Sequence, residues 1–346
     1  MKPCGTSIFF FLLFLLVLLA CPFAGAERLQ LRDVWEGLRN LPTLDSRIFL
    51  HLRLPRVVLG LLAGGTLAMT GAALQVLFRN PLAEPWTLGM AGGASLGAFA
   101  ARAFPVLWLA AGPFNTSQVS ALVGAGGALM LVLFLARRTG GVGTPSLLLA
   151  GITIGIISGG AILVAGGFIA PWKLAEYHRW LLGGLGGADW RQVAALAVLA
   201  LPGLVILQAQ AGEYNPFGLG EEMAAGQGVD VARVRRLTLI GAGLASAAVA
   251  AVAGPIGFIG LLAPHAVRRF IGPDMRVVML GSFFLGGALL AGCDTVGRVV
   301  ASPHEIPVGA LTALLGGPLF LLLLVRRNTQ GTAASTAEGN HPVVES

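Results

Sequence analysis

The stretch VVLGLLAGGTLAMTGAALQVLF, residues 57–78, carries no charged side chain and is followed at once by RNPLAEP, residues 79–85. A helix needs roughly 20 apolar residues to cross the hydrocarbon of a bilayer. Pro81 lacks a backbone donor and disfavours helix at the residue before it. The pattern therefore predicts a membrane-spanning helix that ends near Asn80, followed by a turn whose acid and second proline are typical of a new helix start.

The composition of the whole chain agrees with a membrane protein. Of its 346 residues 55% are hydrophobic and 11% are charged, and the mean hydropathy is +0.81. A soluble domain would carry about a quarter charged residues. The apolar runs do not alternate as the strands of a membrane β-barrel do, and helices satisfy every backbone group in lipid. The prediction is an all-α, polytopic membrane protein.

Reading the chain in this way predicts about ten transmembrane helices in a single domain, residues 1–327, followed by a disordered tail, residues 328–346. The spans are expected near residues 8–26, 57–78, 86–104, 119–136, 147–168, 190–208, 231–253, 256–271, 277–299 and 306–325. The first apolar segment fits either a retained helix or a cleaved signal peptide, and we favour the retained helix. Outside the long segment before the second span, Lys and Arg concentrate on the N-terminal side, which makes that side cytoplasmic.

Several chemistries find no support in the sequence. Glycines at four-residue spacing are typical of close helix packing in membranes, and no glycine loop ending in Lys-Ser or Lys-Thr is present to bind ATP. Cys4, Cys21 and Cys293 have no metal-ligand spacing. The arginines are dispersed and lack aromatic partners, which argues against nucleic acid. We expect no cofactor and no metal on this chain.

The turn and its neighbours resemble a known family. The resemblance rests on GAALQVLFRNPLAEPWTLGMAGGASLGA (71–98), RLPR (53–56), LLLAGITIG (147–155), WLLGGLGGADW (180–190), GPIGFIGLLAPHAVRRFIG (254–272), CDTVGRVV (293–300) and EIPVGALTALLGGPLFLLLL (305–324). These stretches, in this order over about residues 50–325, are similar to FecCD-type permeases, the membrane subunits of type II ABC importers for iron-siderophores, haem and cobalamin. The resemblance implies a permease of the type II importer fold.

The resemblance also implies partners and a cargo. It implies a homodimer in the bacterial inner membrane, two ATP-binding cassette subunits that hold ATP and Mg, and a periplasmic or lipid-anchored substrate-binding protein. The chain itself would be a transport subunit and no enzyme. We rank a ferric siderophore first as cargo, cobalamin close behind and haem third. The stretch GGLGGADWRQ, residues 183–192, nevertheless looks slightly more like the cobalamin permeases.

The family's functional positions can be placed on this sequence. ATPase coupling falls on Leu219, Gly220, Glu221, Glu222, Ala224 and Gly228. The cytoplasmic gate falls on Asn80, Leu82 and Thr144. Docking of the binding protein falls on Arg53, Arg56 and Arg298. The plainer interpretations are solvated loop charges for the glutamates, a capping role for the asparagine and headgroup anchoring for the arginines.

Two rival functions need other residues. An ion-coupled secondary transporter would usually place paired ionisable groups at mid-membrane, and the sequence offers only Asp294, which we expect to pair with Arg298 one helical turn away. A membrane enzyme would need a convergent set of catalytic groups. His265, the histidine of APHAVRR, has no partner at helical spacing, and we expect it to be structural rather than a metal ligand.

Overall fold

The computed structural model describes residues 3–25, 27, 29–39, 43–104, 115–138, 144–302 and 304–320. All regular secondary structure in the described part is helical. Its helices are α1 Pro3–Ala20, α2 Leu31–Arg39, α3 Leu44–Ile48, α4 Leu54–Leu77, α5 Met90–Ala103, α6 Thr116–Arg138, α7 Thr144–Gly166, α8 Pro171–Leu181, α9 Trp190–Ala209, α10 Tyr214–Leu219, α11 Glu221–Gly226, α12 Val231–Ala253, α13 Ile259–Ile271, α14 Met275–Val300 and α15 Val308–Phe320. The tail predicted from residue 328 lies outside the described residues.

Within the described ranges, six helical stretches are long and apolar enough to cross a membrane. They are Leu44–Leu77, Thr116–Leu135, Ser146–Gly166, Trp190–Ala209, Val231–Ala253 and Met275–Val300, and Ser7–Phe23 and Val308–Phe320 are shorter apolar helices. The all-α, multi-pass prediction is confirmed, whereas the count of ten spans is not.

Two predicted spans are shortened by the backbone. The span expected at 256–271 is a helix of 13 residues, α13, because Gly254 and Phe258 take positive φ angles of 71° and 69° before it begins. At 1.5 Å per residue it is about 20 Å long, less than the roughly 30 Å of hydrocarbon. The span expected at 86–104 is divided at Gly89, whose φ of 73° separates a 3-10 turn, Pro85–Leu88, from α5. Helix α8 was not predicted.

Helix α4 lies at the centre of the bundle and contacts α1, α9, α12, α13 and α14. Its glycines allow backbones to touch: a β-carbon on Gly64 would overlap the carbonyl oxygen of Gly286 on α14, and one on Gly71 would overlap that of Gly260 on α13. Small residues therefore set the helix spacing, as expected where lipid supplies no hydrophobic force between helices.

Candidate functional site: the turn after α4 and the two ends of the bundle

The turn after α4 is closed by its own backbone. The N–H groups of Arg79 and Asn80 donate to the carbonyl oxygens of Val76 and Gln75, both at 3.0 Å, which is the Schellman arrangement at a helix end. This arrangement needs a left-handed residue, and Arg79 supplies it with φ 46°. A non-glycine residue in this region is unusual, so the helix end is held at a local cost.

Asn80 shapes the rest of the turn. Its Oδ1 accepts from the Leu82 N–H at 3.0 Å, and its carbonyl oxygen accepts from the Ala83 N–H at 3.1 Å. Asn80 therefore has the capping role that its side chain makes possible. Leu82 projects to the surface with 37% of its side chain exposed, whereas Ala83 is buried.

The turn is tied to the loop that precedes α13. The Glu84 carboxylate accepts from the Phe258 N–H at 3.2 Å, and the Trp86 indole N–H donates to the carbonyl oxygen of Ile256. Burial raises the pKa of the Glu84 carboxyl, and the hydrogen bond from Phe258 opposes that rise. Phe258, which donates this hydrogen bond, is one of the two described non-glycine residues with a positive φ, and Arg79 is the other.

A second tie joins α4 directly to α13. Gln75 is buried and donates through Nε2 to the carbonyl oxygen of Gly260 at 3.1 Å, while its Oε1 accepts from the Arg268 guanidinium. Arg268 also donates to the carbonyl oxygen of Ala72 at 3.2 Å. Sequence reasoning missed both side chains. A glutamine inside an otherwise apolar run could have indicated that α4 has a polar partner there.

A cavity of about 610 Å³ lies beside these ties. Its lining comprises Gln75, Val76, Arg79, Pro81, Leu82, Leu261, His265, Arg268, Arg269 and Phe320. His265 is exposed at its mouth. Within the described residues no group of three or more His, Cys, Asp or Glu side chains is arranged to hold a metal ion.

Thr144, the third residue assigned to the gate, is the first residue of α7, and its side chain lies outside the described residues. Helix α7 nevertheless reaches the chain just after the turn. A β-carbon on Gly89 would lie 2.6 Å from the carbonyl oxygen of Gly151 on α7. The structure thus places α7 against the 3-10 turn Pro85–Leu88, which joins Asn80 and Leu82 to α5.

The segment assigned to ATPase coupling forms two short helices, α10 and α11, with Gly220 between them at φ 135°. Leu219 is 67% exposed and Glu222 is also exposed, whereas Ala224 is fully buried and anchors the segment. At the far end Gly228, with φ 83°, closes α11, and the next N–H donates back to the carbonyl oxygen of Ala224 at 3.0 Å. The second of the two helices, α11, is thus bounded by glycines at both ends.

Glu221 is not simply solvated. Its carboxylate accepts from the Arg235 guanidinium on α12, and the two side chains are 37% and 20% exposed. The Tyr214 hydroxyl shares a hydrogen bond of 2.9 Å with the Thr238 hydroxyl on the same helix. The segment is therefore attached to α12 at two places, and the face that carries Leu219 and Glu222 is left exposed.

The opposite end of the bundle holds the three arginines assigned to docking. Arg56 donates to both carboxylate oxygens of Asp294 at 2.7 and 2.9 Å and to both of Glu305 at 2.9 and 3.0 Å. The expected pairing of Asp294 with Arg298 is wrong, because Arg56 takes both oxygens. Arg56 and Asp294 are 11% and 3% exposed, whereas Glu305 is 50% exposed.

The other two arginines are bound to the backbone near the end of α1. Arg53 is buried and donates to the carbonyl oxygens of Pro22, Phe23 and Glu27 at 3.4, 3.2 and 2.6 Å. Arg298 donates to the carbonyl oxygen of Cys21 at 3.3 Å. The three arginines lie at one end of the bundle, and in this structure each guanidinium is engaged within the chain. Beside them is a cavity of about 440 Å³ that also includes Arg102, Arg179 and Trp180.

Comparison with known proteins agrees with this architecture. Residues 12–326 match the FecCD transport family. The chain is 40% identical over 327 residues to the hemin transport system permease protein HmuU of Yersinia pestis, covering 92% of this chain and 96% of the relative. It is 41% identical over 295 residues to the cobalamin import system permease protein BtuC of Halobacterium salinarum, covering 84% and 77%.

A solved structure gives the same result. The chain superposes with a TM-score of 0.81, at 26% identity and over 93% of its length, on a chain described as an inward-facing metal-chelate type ABC transporter, of which 99% is covered. With a family match over most of the chain, a related solved fold and six apolar helices of spanning length, the protein belongs to the FecCD transport family and is a multi-pass membrane permease of an ABC transporter.

Proposed function

We propose that this chain is the permease subunit of an importer that carries an iron chelate across the bacterial inner membrane, with a ferric siderophore as the cargo. The observation that carries the proposal is the family match over residues 12–326 together with the likeness to a metal-chelate type transporter. Haem is a second candidate, favoured by the 40% identity to a hemin permease over 96% of that protein. Cobalamin is a third, favoured by the BtuC relatives.

The cargo can be identified through the substrate-binding protein. We expect isothermal calorimetry of the purified binding protein to show tight binding of a ferric siderophore and none of haem or cyanocobalamin. The same three compounds should then be offered to proteoliposomes that contain the permease, its ATPase and the binding protein. Uptake of haem or cobalamin in place of the siderophore would reassign the cargo while leaving the importer proposal intact.

The proposal includes two copies of this chain around a shared path. Helix α7 supports it, since Gly155 and Gly159 have no atom near their β-carbon positions and Ile152 and Ile156 are 51% and 71% exposed. Such a face of small and apolar residues fits a second helix. Cysteine at residue 156 should form a crosslink between copies in native membranes. Cysteine at Leu201, exposed on α9, is the control that should not form one.

Ten spans, with both ends in the cytoplasm, remain part of the proposal. The turn at residues 79–85 would then face the cytoplasm and α10–α11 would meet the ATPase on the same side. Single cysteines at Leu82 and at Glu305, both exposed, test the arrangement. An impermeant thiol reagent added to intact spheroplasts should label the second and not the first. The reverse labelling would invert the orientation.

The partner ATPase would bind the ATP and Mg, and we propose that it contacts the exposed side of α10–α11. Leu219→Asp should reduce co-purification of the ATPase because a charge would enter the apolar part of the contact. Arg236→Asp, at an exposed residue near the start of α12 and outside the segment, is the control. Equal retention of the ATPase by the Leu219 variant would remove that residue from the contact.

The gate is proposed at Asn80, Leu82 and Thr144, since loop residues can absorb the backbone change of opening. Asn80→Ala removes the Oδ1 acceptor that orders the turn and should raise uncoupled leakage of cargo from loaded proteoliposomes. Leu82→Ala keeps the turn's hydrogen bonds and tests the side chain alone. If neither variant changes leakage or ATP-driven uptake, the gate lies elsewhere.

Docking of the binding protein is proposed at Arg53, Arg56 and Arg298, by exchange of partners. A carboxylate of the binding protein would compete with the exposed Glu305 for Arg56, and charge pairs at a rim mainly set encounter and register. Glu305→Gln should therefore tighten docking, whereas Arg53→Glu combined with Arg56→Glu should weaken it. Surface plasmon resonance at low salt measures both. Unchanged docking in the arginine variant would count against the assignment.

A further inference from the structure

The cavity beside the turn has an unusual balance of charge. Three arginines, Arg79, Arg268 and Arg269, line it, and none of its described lining residues is Asp or Glu. The Arg268 guanidinium is held by the uncharged acceptors Gln75 and Ala72. Positive charges therefore converge on one concave surface, and their partners in the described part of the chain leave that charge uncompensated.

The rest of the lining is apolar. Val76, Leu82, Leu261 and Phe320 belong to α4, the turn, α13 and α15, so the wall is made by four separate segments. A volume of about 610 Å³ is within the range of pockets that hold a small organic ligand. Arg79, Leu82, His265 and Arg269 are exposed, so the cavity opens to the surface.

The position along the helices completes the argument. Arg79 follows the C-terminus of the spanning helix α4, and Arg268 and Arg269 lie in the last turn of the shorter helix α13, which Arg268 ties to Gln75 and Ala72 near the same end of α4. Residues at the ends of spanning helices lie at the level of lipid headgroups, and basic pockets between helices at that level bind anionic headgroups. Cationic groups above apolar walls match a molecule with a phosphate head and hydrocarbon chains.

We propose that this cavity is a binding site for one anionic phospholipid, whose phosphodiester lies against Arg79 and Arg269 and whose glycerol and first methylenes lie against Leu261 and Phe320. The site rests on the proposed orientation, which puts this end of the bundle in the cytoplasm, and it adjoins the proposed gate because Leu82 lines it. Its occupant would lie beside the segment assigned to coupling, since a β-carbon on Gly220 would be 3.7 Å from Arg79 Nη1.

The test uses the full-length chain purified in uncharged detergent and native mass spectrometry. Phosphatidylglycerol and phosphatidylcholine with identical acyl chains are titrated, and we expect one retained phosphatidylglycerol at a concentration at least tenfold below that needed for phosphatidylcholine. Each arginine near an anionic headgroup contributes roughly fivefold in affinity. Arg79→Gln and Arg269→Gln should each weaken binding by about that factor, and together by about 25-fold.

Arg236→Gln is the matched control, because Arg236 is an exposed arginine near the start of α12 that does not line the cavity. It should leave the affinity unchanged. Equal binding of the two lipids, or an equal loss in the Arg236 variant, would overturn the site. Displacement of phosphatidylglycerol by equimolar glycerol 3-phosphate would also overturn it, since a free phosphate ester would then be the ligand. Circular dichroism of each variant confirms that it is folded.

Discussion

The clamp formed by Arg56 and Asp294 gives a quantitative prediction. Asp294→Asn removes the charge that accepts two hydrogen bonds of 2.7 and 2.9 Å from a guanidinium that is 11% exposed. Removing one partner of a buried ion pair typically costs about 3–5 kcal/mol. Glu305 remains in contact with Arg56 but is half exposed, so it compensates in part. We expect a loss of about 2–3 kcal/mol in the free energy of unfolding.

A double-mutant cycle separates the pair from other effects. The variants Asp294→Asn, Arg56→Gln and their combination should give a coupling free energy of about 2 kcal/mol, because the double variant no longer buries an unpaired charge. A second cycle, Asp294→Asn with Arg298→Gln, should give less than about 0.5 kcal/mol, as expected of residues that share no hydrogen bond.

Equilibrium unfolding in mixed micelles, followed by tryptophan fluorescence and circular dichroism, measures the free energies of the unsubstituted chain and of the five variants in the two cycles. A coupling between Asp294 and Arg298 as large as that between Asp294 and Arg56 would refute the reasoning. It would mean that the carboxylate serves the residue one helical turn away, as the sequence suggests. Glu305→Gln removes the exposed partner of Arg56 and serves as a reference. It should lower the free energy of unfolding by no more than about 1 kcal/mol.

Three further predictions concern α4 and the turn that follows it. Gly71→Ala should destabilise the chain by about 3 kcal/mol or abolish folding, because its β-carbon would overlap Gly260, while Gly126→Ala, with open space around it, should be neutral or slightly stabilising. Trp86→Phe removes one hydrogen bond to the backbone and should cost about 1 kcal/mol by the same unfolding assay. Since burial raises the pKa of Glu84, its contribution to stability is complete below the unfolded pKa and is lost as pH rises through the folded pKa. The free energy of unfolding should thus fall above about pH 4 relative to Glu84→Gln, and parallel pH profiles would contradict this.

Local rules explain how much of the fold was predictable. Pro81 and the run of apolar residues before it were sufficient to place the end of α4 within a few residues. The start of α13 was not predictable, because the left-handed conformation of Phe258 is imposed by tertiary contacts with Glu84 and goes against the preference of a phenylalanine.

The contacts of the candidate site were less accessible to sequence reasoning. Arg56 and Asp294 are 238 positions apart, and a single sequence offers no signal for such a pair. The i,i+4 rule pointed to Arg298 because that rule describes isolated helices, whereas here a bidentate partner from α4 competes for the same carboxylate. The family resemblance identified the arginines but gave no information about the groups that hold them.

The contacts of α4 with α13 and α14 have a mechanical consequence. Where backbones touch at Gly71 and Gly64, no side chain lies between the helices that could change rotamer and let them slide. These three helices therefore form one rigid unit, which would rotate or tilt as a whole during transport. The conformational changes of the transport cycle then occur at elements hinged to this unit, and a bulkier residue at either glycine would push the helices apart and destabilise the chain.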